Sequence, residues 1–103
     1  MGVATKKVKS PRKLERHFKG VANHRRIEIL MLIARRPGII LEDILGELEG
    51  NQKTFSEHTR RLVTAGLVEK KYSGRTVEHH LTPYGKIFFS FIQEFSRARD
   101  TIE

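Results

Sequence analysis

The sequence predicts a mostly helical domain of about five helices that carries one small two-strand β-hairpin. Helix-starting caps recur along the chain: Ser10-Pro11, Asn23, Asn51 and Thr82-Pro83 each precede a run with apolar residues at helical spacing. The stretch 68–81 instead alternates with period two around Ser73-Gly74, the pattern of a hairpin. A length of 103 residues suits one domain.

The elements follow in order. Residues 1–10 hold lysines at 6, 7 and 9 and almost nothing that could enter a core, so they are expected to form a flexible basic arm. Such an arm is either a plain terminus or a source of phosphate contacts. The first helix starts at Pro11 with Leu14, Phe18, Val21 and Ala22 as its apolar stripe, weakened by Gly20. The second, about 24–35, is apolar on nearly every side from Ile27 to Ala34 and belongs at the centre, and Pro37-Gly38 stops it. The third covers about 41–48, with Glu42 and Asp43 in the first turn where the helix dipole favours them and Gly50 as its end.

The fourth helix, about 52–65, has two unlike faces. Phe55, Thr59, Leu62 and Val63 share one side; Lys53, Ser56, Glu57, Arg60 and Thr64 share the other, which has no apolar side chain. Asn51 is the expected cap, in competition with a Thr54-x-x-Glu57 capping box that would push Lys53 out of the helix. Gly66 suits a left-handed C-cap. The hairpin that follows, about 68–81, has a basic tip with Lys70, Lys71 and Arg75. A polar-faced helix running directly into a basic hairpin is the layout of a winged helix-turn-helix, which places the helix in the major groove of DNA and the wing on the backbone or minor groove.

The last helix, about 83–102, has Tyr84, Phe88, Phe91, Phe95, Ala98 and Ile102 spaced as a heptad seam, with Ile87, Phe89 and Ile92 beside it. One side is expected to pack on its own domain while the seam meets a second copy, because so small a domain has little core to cover both faces. The competing expectation is that the whole stripe packs within one chain.

Composition narrows the function. Net charge is +8, which favours a polyanionic partner, nucleic acid before membrane. There is no cysteine, so disulfides, thiolate metal sites and thiol nucleophiles are excluded. The longest apolar run, Ile27–Ala34, is too short to span a bilayer, and the first residues lack the apolar core of a secretory signal. A cytoplasmic protein is expected. The five histidines show no ligand spacing: His79 and His80 point to opposite faces of a strand, and His58 falls at the back edge of the fourth helix. No metal, no cofactor and no catalytic set is expected, hence no enzyme.

The residues FKGVANHRRIEILMLIARRPG, LEDILGEL and SEHTRRLVTAGLVEKKYSGRTVEHHLT resemble the winged helix-turn-helix transcription regulators of the ArsR type, over about two thirds of the chain. LTPYG at 81–85 is also similar to MarR-type relatives. Where ArsR metal sensors carry Cys-Val-Cys, this chain has Ile40, Leu41 and Glu42, so that metal site is absent. Thr59 stands where a buried leucine is usual, and Glu78 and His79 replace a common tyrosine pair. The resemblance implies a dimeric regulator of transcription, more often a repressor, on double-stranded DNA.

By helix face and by resemblance, Gln52, Lys53, Thr54, Ser56, Glu57 and Arg60 face the groove, while Arg61, Lys71, Ser73 and Arg75 meet phosphates or the minor groove. Glu57 either reads cytosine or orients Arg60 and Arg61 at i+3 and i+4, the more ordinary role. The rival reading is a winged-helix adaptor for other proteins, or an RNA-binding module.

Overall fold

The computed structural model describes residues 8–98. Five helices and one hairpin follow in the order α1 (Pro11–Val21), α2 (His24–Arg35), α3 (Leu41–Leu48), α4 (Gln52–Thr64), β1 (Val68–Ser73), β2 (Thr76–Leu81) and α5 (Pro83–Arg97). Most of the proposed arm, including Lys6 and Lys7, and the seam residue Ile102 lie outside the described residues. Helix α5 stops at Arg97, because Ala98 is already extended (φ −66°, ψ 141°).

The caps form as side-chain chemistry demands. Ser10 Oγ accepts from Lys13 N, Asn23 from Arg25 N and Arg26 N, and Thr82 Oγ1 from Gly85 N. Each satisfies helix N–H groups that have no partner inside the helix. At α3 the expectation fails in one detail. Glu49, not Gly50, takes the left-handed conformation that ends the helix (φ 51°). Gly50 is needed for room instead: a Cβ there would collide with the Phe55 ring.

Helix α2 is the centre, with Ile29, Leu30, Leu32 and Ile33 buried. Ile44 of α3, Phe55 and Leu62 of α4, and Leu67 and Val68 beyond it complete the core. Two arginines of α2 tie the elements together. Arg25 donates to Glu28 Oε1 (2.8 Å) and to Leu48 O (2.7 Å), and lies over the Phe55 ring, 4.8 Å from its centroid. It thereby caps the C-terminus of α3 and packs on α4. Arg26 donates to Gly20 O (2.7 Å) and to His58 Nδ1 (3.2 Å), joining α1 to α4.

The hairpin pairs Val68 with Leu81 through Ser73 with Thr76. A third segment adds one bridge: Gly38 N donates to His79 O and His79 N to Ile39 O. His79 is buried there, its Nδ1–H donating to Ile39 O at 3.0 Å. Burial is the main reason its pKa lies below the ordinary histidine value. The place that the tyrosine pair would fill is thus taken by a histidine clasped to the loop after α2.

Candidate nucleic-acid interface

Helix α4 is held by its apolar side. Phe55, Thr59 and Leu62 are buried, and the Thr59 hydroxyl donates to Ser56 O (2.9 Å), so it costs no unpaired polar group. Asn51 wins the capping competition, with Oδ1 accepting from Thr54 N at 3.0 Å, and Lys53 therefore lies inside the helix. The C-terminus closes as a Schellman turn: Leu67 N donates to Leu62 O, Gly66 N to Val63 O, and Gly66 sits at φ 77°. This turn launches β1 immediately after the helix, so the hairpin stands beside α4.

The outer side of α4 presents Gln52, Lys53, Thr54, Arg60 and Arg61 to solvent, with Ser56 and Glu57 partly covered. Glu57 binds both following arginines. Arg60 donates to it through Nε (3.0 Å) and Nη2 (2.5 Å), and Arg61 through Nε (3.1 Å). The Arg60 hydrogen bond, chiefly, holds the Glu57 pKa below the usual carboxylate value, and Glu57 raises that of Arg60 in return. Of the two roles open to Glu57, orientation of the arginines is the one this geometry performs.

Strand alternation gives the wing two different faces. Lys70 and Tyr72 line a cleft with Ser56 and Thr59 of α4, and Arg75 and Thr76 at the hairpin turn line it as well. Tyr72 is 77 % exposed there. Glu69 and Lys71 line the opposite groove, with Lys86 and Phe89 of α5. Lys71 stands opposite Glu78 in the ladder and lies 3.6 Å from the Glu69 carboxylate, while Glu78 is held by His80 at 3.0 Å. Ser73 shares its parity and closes the turn, its carbonyl accepting from Thr76 Oγ1. Gly74, at φ 62°, supplies the conformation a two-residue hairpin turn requires at its first position. The structure therefore gathers Gln52, Lys53, Thr54, Ser56, Glu57, Arg60, Arg61 and Arg75 about one side. It sets Lys71 apart and adds Lys70 and Tyr72. Period-two alternation separates 70 and 72 from 71 and 73, but only the packing of α4 tells which pair faces the helix.

The family of winged helix DNA-binding domains matches residues 23–85, more than half the chain. This chain belongs to that family. Among solved structures, the winged helix resembles HlyU from Vibrio cholerae at 25% identity and TM-score 0.73, over 82% of this chain and 91% of that one. It also resembles Mb0332 from Mycobacterium bovis, a solution structure described as a homodimeric winged helix-turn-helix DNA-binding domain of "a possible ArsR-family transcriptional regulator". There the identity is 26% and the TM-score 0.74, over 85% and 87% of the two chains. A MarR protein from Peptoclostridium difficile shares the fold at 20% identity and TM-score 0.70, over 82% of this chain and 57% of that one. No curated protein matches the sequence.

The winged helix has a second surface away from α4. Ile87, Phe91 and Phe95 of α5 are 64 %, 51 % and 69 % exposed, and Leu14 and Phe18 of α1 continue the same apolar patch. Tyr84 stands half-exposed, its ring 5.2 Å from that of His17 and 4.6 Å from Lys9 Nζ. The patch departs from the heptad seam. Phe88 is only partly exposed, packing on the core with Ile92 and meeting Phe18 edge-on at 5.2 Å while still lining the patch, and Ile87 faces out. Ala98 is exposed just past the helix end. Among the described residues no helix is long and apolar enough to cross a membrane.

Proposed function

We propose that this winged helix is a sequence-specific regulator of transcription, a homodimer that binds double-stranded DNA in the cytoplasm and acts as a repressor. One observation carries the reading: Ser56, at the edge of the polar face of α4, and the Lys70–Tyr72–Arg75 face of the wing border one cleft, with Glu42 of α3 beside them. In this reading α4 enters the major groove. Gln52, Lys53, Thr54, Ser56 and Arg60 meet base edges, with Glu57 setting the arginine geometry. Arg61, Arg75 and Lys70 meet phosphates, and Tyr72 lies along the backbone or minor groove.

The apolar patch of α1 and α5 supports a dimer. A contiguous exposed apolar surface on a small domain marks an association site, and the relative from Mycobacterium bovis is described as homodimeric. A two-fold dimer places two α4 helices on half-sites about one helical turn, roughly 34 Å, apart. Such a dimer acts by occupying its site, which is repression wherever the site overlaps a promoter.

In vitro selection from a random duplex library tests the reading. The expected result is a near-palindromic site bound at least a thousandfold more tightly than random duplex, at the lower end of the range for specific regulators. Equal binding to RNA and duplex, or no enrichment, would support the RNA or adaptor readings instead.

A further inference from the structure

Helix α1 has a second face beside the one that joins the apolar patch. Arg16 lies opposite Leu14 and Phe18 by helical spacing, and Lys19 lies at the border, also lining the apolar groove of Phe18, Phe88 and Phe91. With Arg60, Arg61 and Thr64 of α4, Arg16 and Lys19 line a cleft of about 280 Å³. The cleft depends on a close approach of the two helices. A Cβ at Gly20 would collide with that of Ala65, so only glycine lets α1 lie on the end of α4. Inside a helix that glycine costs about 1 kcal/mol relative to alanine, and close contact with α4 is what it provides. His17 fastens the same contact, its Nδ1–H donating to Ala65 O at 2.6 Å.

The charges around the cleft are unbalanced. Arg16, Lys19, Arg26, Arg60 and Arg61 stand against Glu15 and Glu57. Lys19 pairs with Glu15 at 3.0 Å, and one carboxylate, Glu57, serves both Arg60 and Arg61. Among the described residues Arg16 pairs with no carboxylate. The cleft and its surroundings thus carry a net positive charge, which favours an anionic ligand. Arg60 and Arg61 belong both to this cleft and to the outer side of α4, so an anion seated here is continuous with one that α4 engages.

We propose that the α1–α4 cleft is a second seat for the sugar–phosphate backbone of the duplex, with Arg16 and Lys19 contacting phosphates beyond those reached by α4 and the wing. The inference rests on the DNA-binding reading. Arginine forks match phosphate oxygens, and neither residue faces a base edge, so the contribution is to affinity rather than to sequence preference.

The test compares the wild-type chain with Arg16→Ala, Lys19→Ala and the double variant, on the selected site and on random duplex, across a salt series. Each single variant is expected to weaken both duplexes several-fold by the same factor. Each should flatten the slope of log affinity against log salt by about 0.9, and the double by about twice that. Arg16→Lys should retain most of the binding. Arg35→Ala, outside the cleft, should leave the slope unchanged. Arg16 and Lys19 are exposed, so melting temperatures should not move. A double variant with wild-type affinity and slope overturns the cleft as a DNA seat while leaving the α4 reading intact. So does a wild-type melting temperature raised by inorganic phosphate and lost in the double variant, with no change in duplex binding, since that marks a small-anion site. A wild-type chain that binds no duplex overturns both.

Discussion

Lys70 and Lys71 are neighbours in sequence but open onto opposite grooves of the wing. Lys70 borders α4 with Tyr72, whereas Lys71 borders α5 beside Glu69. Lys70→Ala is therefore expected to lower affinity for every duplex several-fold and reduce the salt slope by about one. Lys71→Ala should change neither. Fluorescence anisotropy on selected and random duplexes across a salt series reads the difference, and equal losses for both lysines would contradict the assignment of faces.

Glu57 places a carboxylate on the surface proposed to meet phosphates. Glu57→Ala should raise affinity for random duplex, because one repelling charge is gone. It should also narrow the gap between selected and random sites, because Arg60 and Arg61 lose the group that aims them. Competition binding at constant salt measures both. A variant that gains affinity with undiminished preference would mean that Glu57 only repels.

The apolar patch and the partly buried Phe88 separate association from folding. Phe91→Glu and Ile87→Glu should convert a dimer to a folded monomer and weaken binding to a palindrome far more than to a half-site. Phe88→Ala should instead lower stability, by less than the roughly 3 kcal/mol at the low end for a fully buried aromatic, since Phe88 is only partly buried. Sedimentation velocity and thermal melts check the two effects. A wild-type chain that sediments as a monomer at high concentration would leave the patch without its proposed partner.

Stability should fall on acidification partly through His79. Its folded-state pKa is lowered, mainly by burial, so below its unfolded pKa of about 6.5 the unfolded chain binds the extra proton. The contribution is whole above that value and is lost as pH falls toward the folded pKa, at no more than about 1.4 kcal/mol per pH unit. His58 has the same sign, again chiefly through burial, with Arg26 and Arg25 adding to it. Melting curves from pH 8 to pH 5 should show a smaller decline in His79→Gln than in wild type. Parallel declines would remove His79 from the account.

Much of this was legible in the chain because it is local. Asn51, Gly66, Gly74 and the Pro-started helices act through their own backbone neighbourhoods, and each was readable from a few residues. What could not be read is set by contacts far apart in sequence. Gly20 looks like a weakness in α1 until Ala65, from α4, is found against it. Arg25 and Arg26 look like surface charge until Leu48 O and Gly20 O are seen to accept from them. The heptad spacing of α5 is real, yet Phe88 is drawn partly inward by Phe18 and the core, which leaves Ile87 outside.

The claim that α4 reads base sequence is tested most directly by one ratio. Affinities of wild type and the Lys53→Ala/Arg60→Ala variant are measured for the selected site and for random duplex at fixed salt. Base contacts discriminate by about 1–3 kcal/mol each, so losing two should lower the selected-to-random ratio by about thirtyfold or more. Both residues are exposed, and the fold should persist. A ratio equal to that of wild type, with affinity lowered alike on both duplexes, would contradict the account.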